Sequence, residues 1–468
     1  MRRQSREFLV VVSYHALKPL MPARSGARRA GRRVALLARY PDRDRAMPQF
    51  ISNHGLRMIE AALRSAPPDG LELGVWDLRG GSVEEVAHQL LAFDPDVAGF
   101  SAYLWSFPFF IEVARLLKDD DPTRLVVFGG PSARPSMLQQ PPFRGAETWV
   151  DVLVINDGEQ TFREIVVASD RSASALAGVA GIALPSLQGL SGGWVETAPR
   201  PLADLNELPS PYEMDLVQAD GLAVLQTYRG CPFTCSFCEW GTLESPKRVR
   251  GVGELQREFE GMARQPVQGA LLVDAGLNLN ANGFRNLREA ADRHGFFEHR
   301  SLICEVYPAK VRPEHLAFLG SVGQALVGIG LQSFDNKVLA HVERSYDEAR
   351  FEQTLHALKA VAGVAIEIIL GLPGDTPENF RKSFERARSL PCALRVYHCV
   401  VLPSALMVRA PAEYVMDYDT VTLKMRSCLG WGEDALREEC DFMTRCAKAD
   451  RGWTGQFFWV FPPPRVPG

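Results

Sequence analysis

No stretch of this 468-residue chain reaches the run of about 18 apolar residues that a membrane span needs, so a membrane partner is not expected. Cysteine is scarce too. Nine cysteines in a chain this long are too few for a disulfide scaffold, which points to a reducing, cytoplasmic setting. A basic excess is also missing. The formal net charge of -4 argues against nucleic acid as a partner held by bulk electrostatics and leaves small-molecule or peptide substrates as the natural class. The arginine-rich start, Met1 to Arg33, has one short apolar run, Phe8 to Val12, and no small-residue cleavage site of a secretory signal. Residues 1–32 therefore read as a cytoplasmic extension or the product of an upstream start codon. What remains, 46% hydrophobic and 23% charged, is a soluble globular composition long enough for two or three domains.

Three of the nine cysteines fall within eight residues: Cys231, Cys235 and Cys238, a C-x3-C-x2-C spacing shortly after the apolar run Leu222 to Leu225. A loop this short can bring three thiolates to one metal centre but supplies no fourth, so a [4Fe-4S] cluster held here keeps one iron open to a ligand. The competing reading is structural zinc, which usually joins two C-x2-C knuckles into four protein ligands; this loop has one such pair plus an outlier. Cys304, Cys392 and Cys399 lie on or beside expected strands, where a free cysteine commonly serves as a small apolar residue.

From Val34 the chain alternates apolar runs with amphipathic ones, the signature of βα units and a parallel sheet covered on both faces. Residues 33–170 are expected to form an open, doubly wound, Rossmann-like domain. Such sheets take ligands beyond the carboxyl ends of their strands, where the strand order switches. The residues expected there are Ser101-Ala102-Tyr103-Leu104-Trp105, Gly129-Gly130-Pro131 and Asn156-Asp157-Gly158-Glu159, ordinary tight turns being the plain alternative. No G-x-G-x-x-G follows the first strand, which excludes a standard dinucleotide site. Residues 171–220, with Pro209 and Pro211, read as an extended linker. Six further strands in βα rhythm over residues 221–410 fall short of the eight of a closed barrel, so a partial (β/α)6 barrel is expected. Residues 411–468, with Trp431, Trp453, Phe457, Phe458, Trp459 and Phe461, read as a small helical cap with an aromatic tail, either core or substrate wall.

The cysteine loop after a first strand, a six-strand barrel and a doubly wound domain upstream together resemble the cobalamin-dependent radical SAM enzymes of the methyltransferase type. The likeness extends to Asp204–Tyr212, to Cys238-Glu239-Trp240-Gly241, to Gly328-Ile329-Gly330-Leu331-Gln332-Ser333, and to Ile368-Ile369-Leu370-Gly371-Leu372-Pro373-Gly374-Asp375-Thr376, roughly residues 33–415 in all. It implies a [4Fe-4S] cluster on the three cysteines, S-adenosyl-L-methionine (SAM) on the open iron, cobalamin in the upstream crevice, and an electron donor of flavodoxin or ferredoxin type.

It also implies residue roles. Phe237, Gly371 and Pro373 would contact the adenosyl group, and Glu305, Gln332 and Ser333 the polar groups of SAM. Ser101, Tyr103, Trp105, Gly129, Gly130, Gly158 and Glu159 would line the cobalamin. Each has a plain structural reading: loop packing for Phe237, satisfied barrel polar residues for Glu305 and Gln332, a helix-start core residue for Trp105. No Asp-x-His-x-x-Gly motif occurs to place a histidine under the cobalt, which leaves Arg39, Arg43, Arg45 or a water to face it.

The expected activity is methyl transfer from SAM by way of cobalamin to an unactivated carbon in a biosynthetic pathway. Ring contraction or cyclisation without methyl transfer, a non-catalytic iron–sulfur sensor, and polar transfer to an sp2 carbon or phosphorus remain the alternatives.

Overall fold

The computed structural model describes residues 31–40, 52–186, 193–217, 221–242 and 248–464. Two mainly parallel sheets organise them. The first contains β1 (Arg33–Arg39), β2 (Glu72–Leu78), β3 (Val97–Ser101), β4 (Leu125–Gly129), β5 (Val152–Val154), β6 (Ile182–Pro185) and β7 (Trp194–Glu196), in the order β2-β1-β3-β4-β5-β6-β7. Its first five strands run parallel in a doubly wound 2-1-3-4-5 order, which reverses between β1 and β3 and opens the crevice there. β1 is a continuous apolar run because both its faces are covered: Ala35 and Leu37 meet Phe100, Phe107, Phe110 and Phe128 on one side, while Val34 and Leu36 meet Leu56, Val127, Phe162 and Ile165 on the other.

The sheet does not stop where its parallel part ends. β6 and β7 pair antiparallel, with Leu153 opposite Ala183 and Leu184 opposite Val195, so Ile182–Pro185 and Trp194–Glu196 extend the first sheet. Strands of three or four residues beside the left-handed Gly181 (φ 77°) carry too little alternation to show in sequence.

The second sheet begins with β8 (Ala223–Leu225), β9 (Gly269–Leu272), β10 (Ser301–Val306), β11 (Gln324–Gln332), β12 (Gly363–Leu370) and β13 (Ala393–His398), each pairing parallel with the next in running order. This is the expected partial barrel of six strands. Its β8 edge is covered by the linker: the Tyr212 hydroxyl donates to Val224 O (2.6 Å) and accepts from Val224 N (2.7 Å), satisfying backbone groups that an open edge would leave unpaired.

Beyond β13 come a two-stranded pair, β14 (Asp417–Tyr418) and β15 (Met425–Ser427), a helix over Glu433–Ala449, and a hairpin of β16 (Trp453–Thr454) and β17 (Phe458–Phe461). The aromatic tail is thus strand: β17 pairs antiparallel with β13, Leu394 opposite Phe461 and Val396 opposite Trp459. Lying between β16 and β13, β17 is half-buried, with Trp459 and Phe461 buried on one face and Phe458 and Val460 partly exposed on the other. The expected N-terminal extension falls outside the described residues apart from Gly31 and Arg32.

Candidate two-cofactor site

The cysteine loop leaves β8 through a turn fastened by Asp274, whose carboxylate accepts from Thr227 N (2.8 Å), Tyr228 N (3.3 Å) and the Thr227 hydroxyl. Cys231, Cys235 and Cys238 are all free thiols, Cys235 being buried. Arg409 grips the loop from behind, donating to the carbonyls of Thr234 (3.3 Å), Cys235 (3.1 Å) and Cys238 (2.5 Å). Arg344 approaches from the barrel side: Nη1 lies 3.8 Å from Cys235 Sγ, and Nη2 donates to Gly330 O.

That carbonyl belongs to a bulge in β11 between Gly330 and Gln332, and Gln332 sits at φ 77°. A left-handed non-glycine residue at a strand bulge is a strained conformation of the kind that clusters at functional sites. Beside the thiols, Phe233 stacks on Tyr307 with ring centres 4.6 Å apart, Lys310 Nζ lies 5.1 Å from the Phe233 ring centre, and a cavity of about 350 Å³ opens between Phe233, Cys235, Tyr307 and Arg344. Burial pushes the Cys231 thiol up, and the charges of Arg344 and Lys310 pull it back in part.

The barrel interior is charged. Glu305 on β10 shares it with Glu367 on β12, and Arg395 on β13 donates to Glu367 (3.0 Å), as does the Tyr397 hydroxyl (3.3 Å). Glu305 is held well above the usual carboxylate range by burial and by the Glu367 charge, which Arg395 only partly offsets. Gly328, its neighbour on β11, leaves the room: a Cβ there would lie 2.1 Å from Glu305 Oε1.

The other expected residues divide. Gly371 (φ 88°) and buried Pro373 stand at the end of β12, braced by the C-terminal segment: Cys428 Sγ lies 3.6 Å from Gly371 O, and Trp431 Nε1 donates to Leu372 O (3.2 Å). Phe237 packs against the barrel core. The Ser333 hydroxyl is occupied locally, accepting from Asp335 N (3.1 Å).

At the upstream crevice Ser101, Tyr103, Trp105, Gly129 and Gly130 come together. Tyr103 and Trp105 stack with ring centres 4.7 Å apart, and Trp105 Nε1 donates to Arg39 O (2.9 Å). Gly130 (φ 95°) lies against Ala102, where a Cβ would come within 2.8 Å of the Ala102 carbonyl oxygen. The Arg39 guanidinium lies 4.5 Å from the ring centre of Phe109; Arg43 and Arg45 fall outside the described residues.

Gly158 and Glu159 follow β5 and meet neighbouring segments. A Cβ on Gly158 would meet Ile59 Cδ1 at 3.0 Å, and the Glu159 carboxylate receives Arg229 Nη2 at 2.6 Å. Arg229 itself had a signal, standing two places before Cys231. Arg344, Arg395 and Arg409 had none, because only the folded barrel brings them to the loop.

A family model described as the radical SAM superfamily matches residues 225–387, and one described as the B12 binding domain matches residues 46–166. The chain carries a radical SAM region and, upstream of it, a B12-binding region. Similar proteins include 2-(S-pantetheinyl)-carbapenam-3-carboxylate methyltransferase from Streptantibioticus cattleyicolor, 30% identical over 67% of this chain and 48% of the relative. The cobalamin-dependent radical SAM methyltransferase TokK from Streptomyces tokunonensis is 29% identical over 69% of this chain and 49% of its own. The chain thus spans about half the length of these relatives.

Among solved structures, the fold is shared with the methyltransferase TsrM from Kitasatospora setae (TM-score 0.64, 19% identical, 80% of this chain and 75% of that one). It is shared also with the cobalamin-dependent SAM radical enzyme OxsB (TM-score 0.66, 14% identical, 89% of this chain and 67% of that one).

The cofactors of such a protein are a [4Fe-4S] cluster, SAM and cobalamin, and the residues fit them. Three free thiols on one loop, with a guanidinium beside Cys235 to balance thiolate charge, are the donor set of a cluster with an open iron. A crevice walled by glycine backbone and stacked aromatic rings suits a large flat ligand, which needs close approach and contact area more than counter-charge. Among the described residues no helix is long and apolar enough to cross a membrane.

Proposed function

We propose that this radical SAM protein transfers a methyl group from SAM, by way of cobalamin, to an unactivated carbon of a small-molecule or peptide substrate in a biosynthetic pathway. The observation that carries the reading is the meeting of the two loops: Arg229, two residues before Cys231, bonds Asp157 (3.0 Å) and Glu159 (2.6 Å) at the carboxyl end of β5. Direct contact between the two loops supports the reading, because it would bring both reagents toward one cavity. The names of the two curated relatives, both methyltransferases and one acting on a carbapenam carboxylate, support the small-molecule class.

When bound, the cluster and cobalamin supply reductive cleavage of SAM and carriage of its methyl group. The chain supplies position and environment. Cys231, Cys235 and Cys238 hold the cluster and Arg344 balances its charge. Glu305, whose proton burial and the Glu367 charge hold more tightly than usual, offers a hydrogen bond to the polar groups of SAM, with Gln332 on the neighbouring strand. Phe237, Gly371 and Pro373 form the adenosyl side. Ser101, Tyr103, Trp105, Gly129, Gly130 and Gly158 line the cobalamin, while Glu159 also takes part in the joint between the loops. An electron donor of flavodoxin or ferredoxin type would supply the electron that SAM cleavage needs.

The test is anaerobic turnover of the reconstituted protein with methyl-labelled SAM and a chemical reductant. Formation of S-adenosylhomocysteine, with label passing to bound cobalamin, is expected. Deoxyadenosine without S-adenosylhomocysteine would replace methyl transfer with a rearrangement, and an intact cluster yielding neither product would make the chain a sensor.

A further inference from the structure

We propose that Arg229 is a positioning residue: with Asp157, Glu159 and Arg248 it forms a buried charge joint that sets the register between the cysteine loop and the upstream crevice. The inference rests on the two-cofactor reading above.

Two cations and two anions meet there. Arg229 Nη2 donates to Glu159 Oε1 (2.6 Å) and Nη1 to Asp157 Oδ1 (3.0 Å), while Arg248 donates to both oxygens of Asp157. Arg229 Nε donates to Gln226 Oε1 (2.8 Å), and its backbone N–H to Arg248 O (3.2 Å), so the guanidinium is held from its own side as well. The four side chains are only 6–14% exposed. The facing groups keep the joint neutral: the imidazole of His54 is pushed down to about 3 by burial and by Arg250 and Arg229, and Arg250 pairs with Glu258 (3.5 Å).

Such a quartet is poor glue, because desolvating four charges offsets most of their attraction. It is a good gauge of register, because any shift between the two sheets leaves a buried charge without its partner. The turn that presents the acids also looks built for the purpose. Asn156 at its head takes φ 64°, and Glu159 opens the helix Glu159–Val167, where the helix dipole favours a negative charge. Arg229 stands two residues from the first cluster cysteine, so an error at the joint passes to the cluster over a very short length of chain.

Two readouts test this on the full chain. In the cofactor-free protein, Arg229→Met should raise amide hydrogen exchange in both residues 152–162 and residues 224–231. In the loaded protein given SAM and reductant alone, S-adenosylhomocysteine needs the methyl group to meet cobalamin, whereas deoxyadenosine needs only the cluster. Their ratio should fall on the order of tenfold or more in Arg229→Met, as expected of a lost reagent alignment.

Arg229→Met combined with Glu159→Gln removes both halves of one pair, leaves Asp157 with Arg248, and should recover the parent melting temperature without recovering the ratio. A double variant with the parent ratio would reduce the joint to a structural role and overturn the proposal. A parent that forms no S-adenosylhomocysteine while Arg229→Met still loosens both segments would sink the methyltransferase reading and leave the joint standing. A parent that forms it, with exchange and ratio unchanged in the variants, would do the reverse.

Discussion

The two mainly parallel sheets gather their candidate ligand groups with opposite chemistry. In the first, the order reverses between β1 and β3, so the crevice is opened by topology and its walls can be small and neutral: Gly129, Gly130, Ser101 and the stacked Tyr103 and Trp105. In the second, the strands follow one another in running order and curve around an interior that must carry its own polar groups, Glu305, Glu367 and Arg395. A large planar ligand asks for access and area; a small zwitterion asks for charges. Strand order thus decides which kind of site each half can build.

If the halves are separate sites joined at one edge, variants should damage one and spare the other. The largest effect belongs to Cys235→Ala, which should abolish the cluster chromophore and SAM cleavage while cobalamin still binds; loss of cobalamin binding as well would break the comparison. Next is Gly130→Ala. Its φ of 95° and the 2.8 Å approach to Ala102 O should cost about 1–3 kcal/mol in denaturant unfolding and weaken cobalamin binding at least tenfold, with cluster content unchanged.

A smaller effect is expected of Trp431→Phe. Losing its bond to Leu372 O should cost about 1 kcal/mol and weaken SAM binding a few-fold, and an equal weakening of cobalamin would mean that the brace does not act on the barrel alone.

The smallest concerns pH. Burial pushes the Asp274 carboxyl up to about 7, outweighing the hydrogen bonds from Thr227 and Tyr228 and the charge of Arg250. The folded chain then binds this proton more tightly than the unfolded chain, so the contribution is complete below the ordinary carboxylate range and drains away as pH rises to about 7. The melting temperature of Asp274→Asn relative to the parent should rise over that interval; a difference independent of pH would show that the carboxyl is already ionised.

Much of this was legible before any coordinates. The periodic apolar runs that become β1, β3, β4 and β10 to β13 are long enough to announce themselves, and the three cysteines fall within eight residues, as a cluster held on one short loop would demand. The C-terminal hairpin was harder to see: Phe458–Phe461 is apolar throughout and only four residues long, and β6 and β7 are shorter or no longer than that. Glu159 was legible as a crevice residue, but its bond to Arg229 was not, because the two lie 70 positions apart.

The cysteine spacing, the strand periods and the glycine-ended turns were determined by the sequence alone, since each is a local demand: a metal loop, a buried strand, a tight turn. Only the tertiary structure decided which charges meet. Arg344 at Cys235, Arg409 across the loop carbonyls and Arg229 between Asp157 and Glu159 are pairings between distant segments. No local pattern specifies such partners, because a buried charge is satisfied by whichever opposite group the packed elements bring within reach.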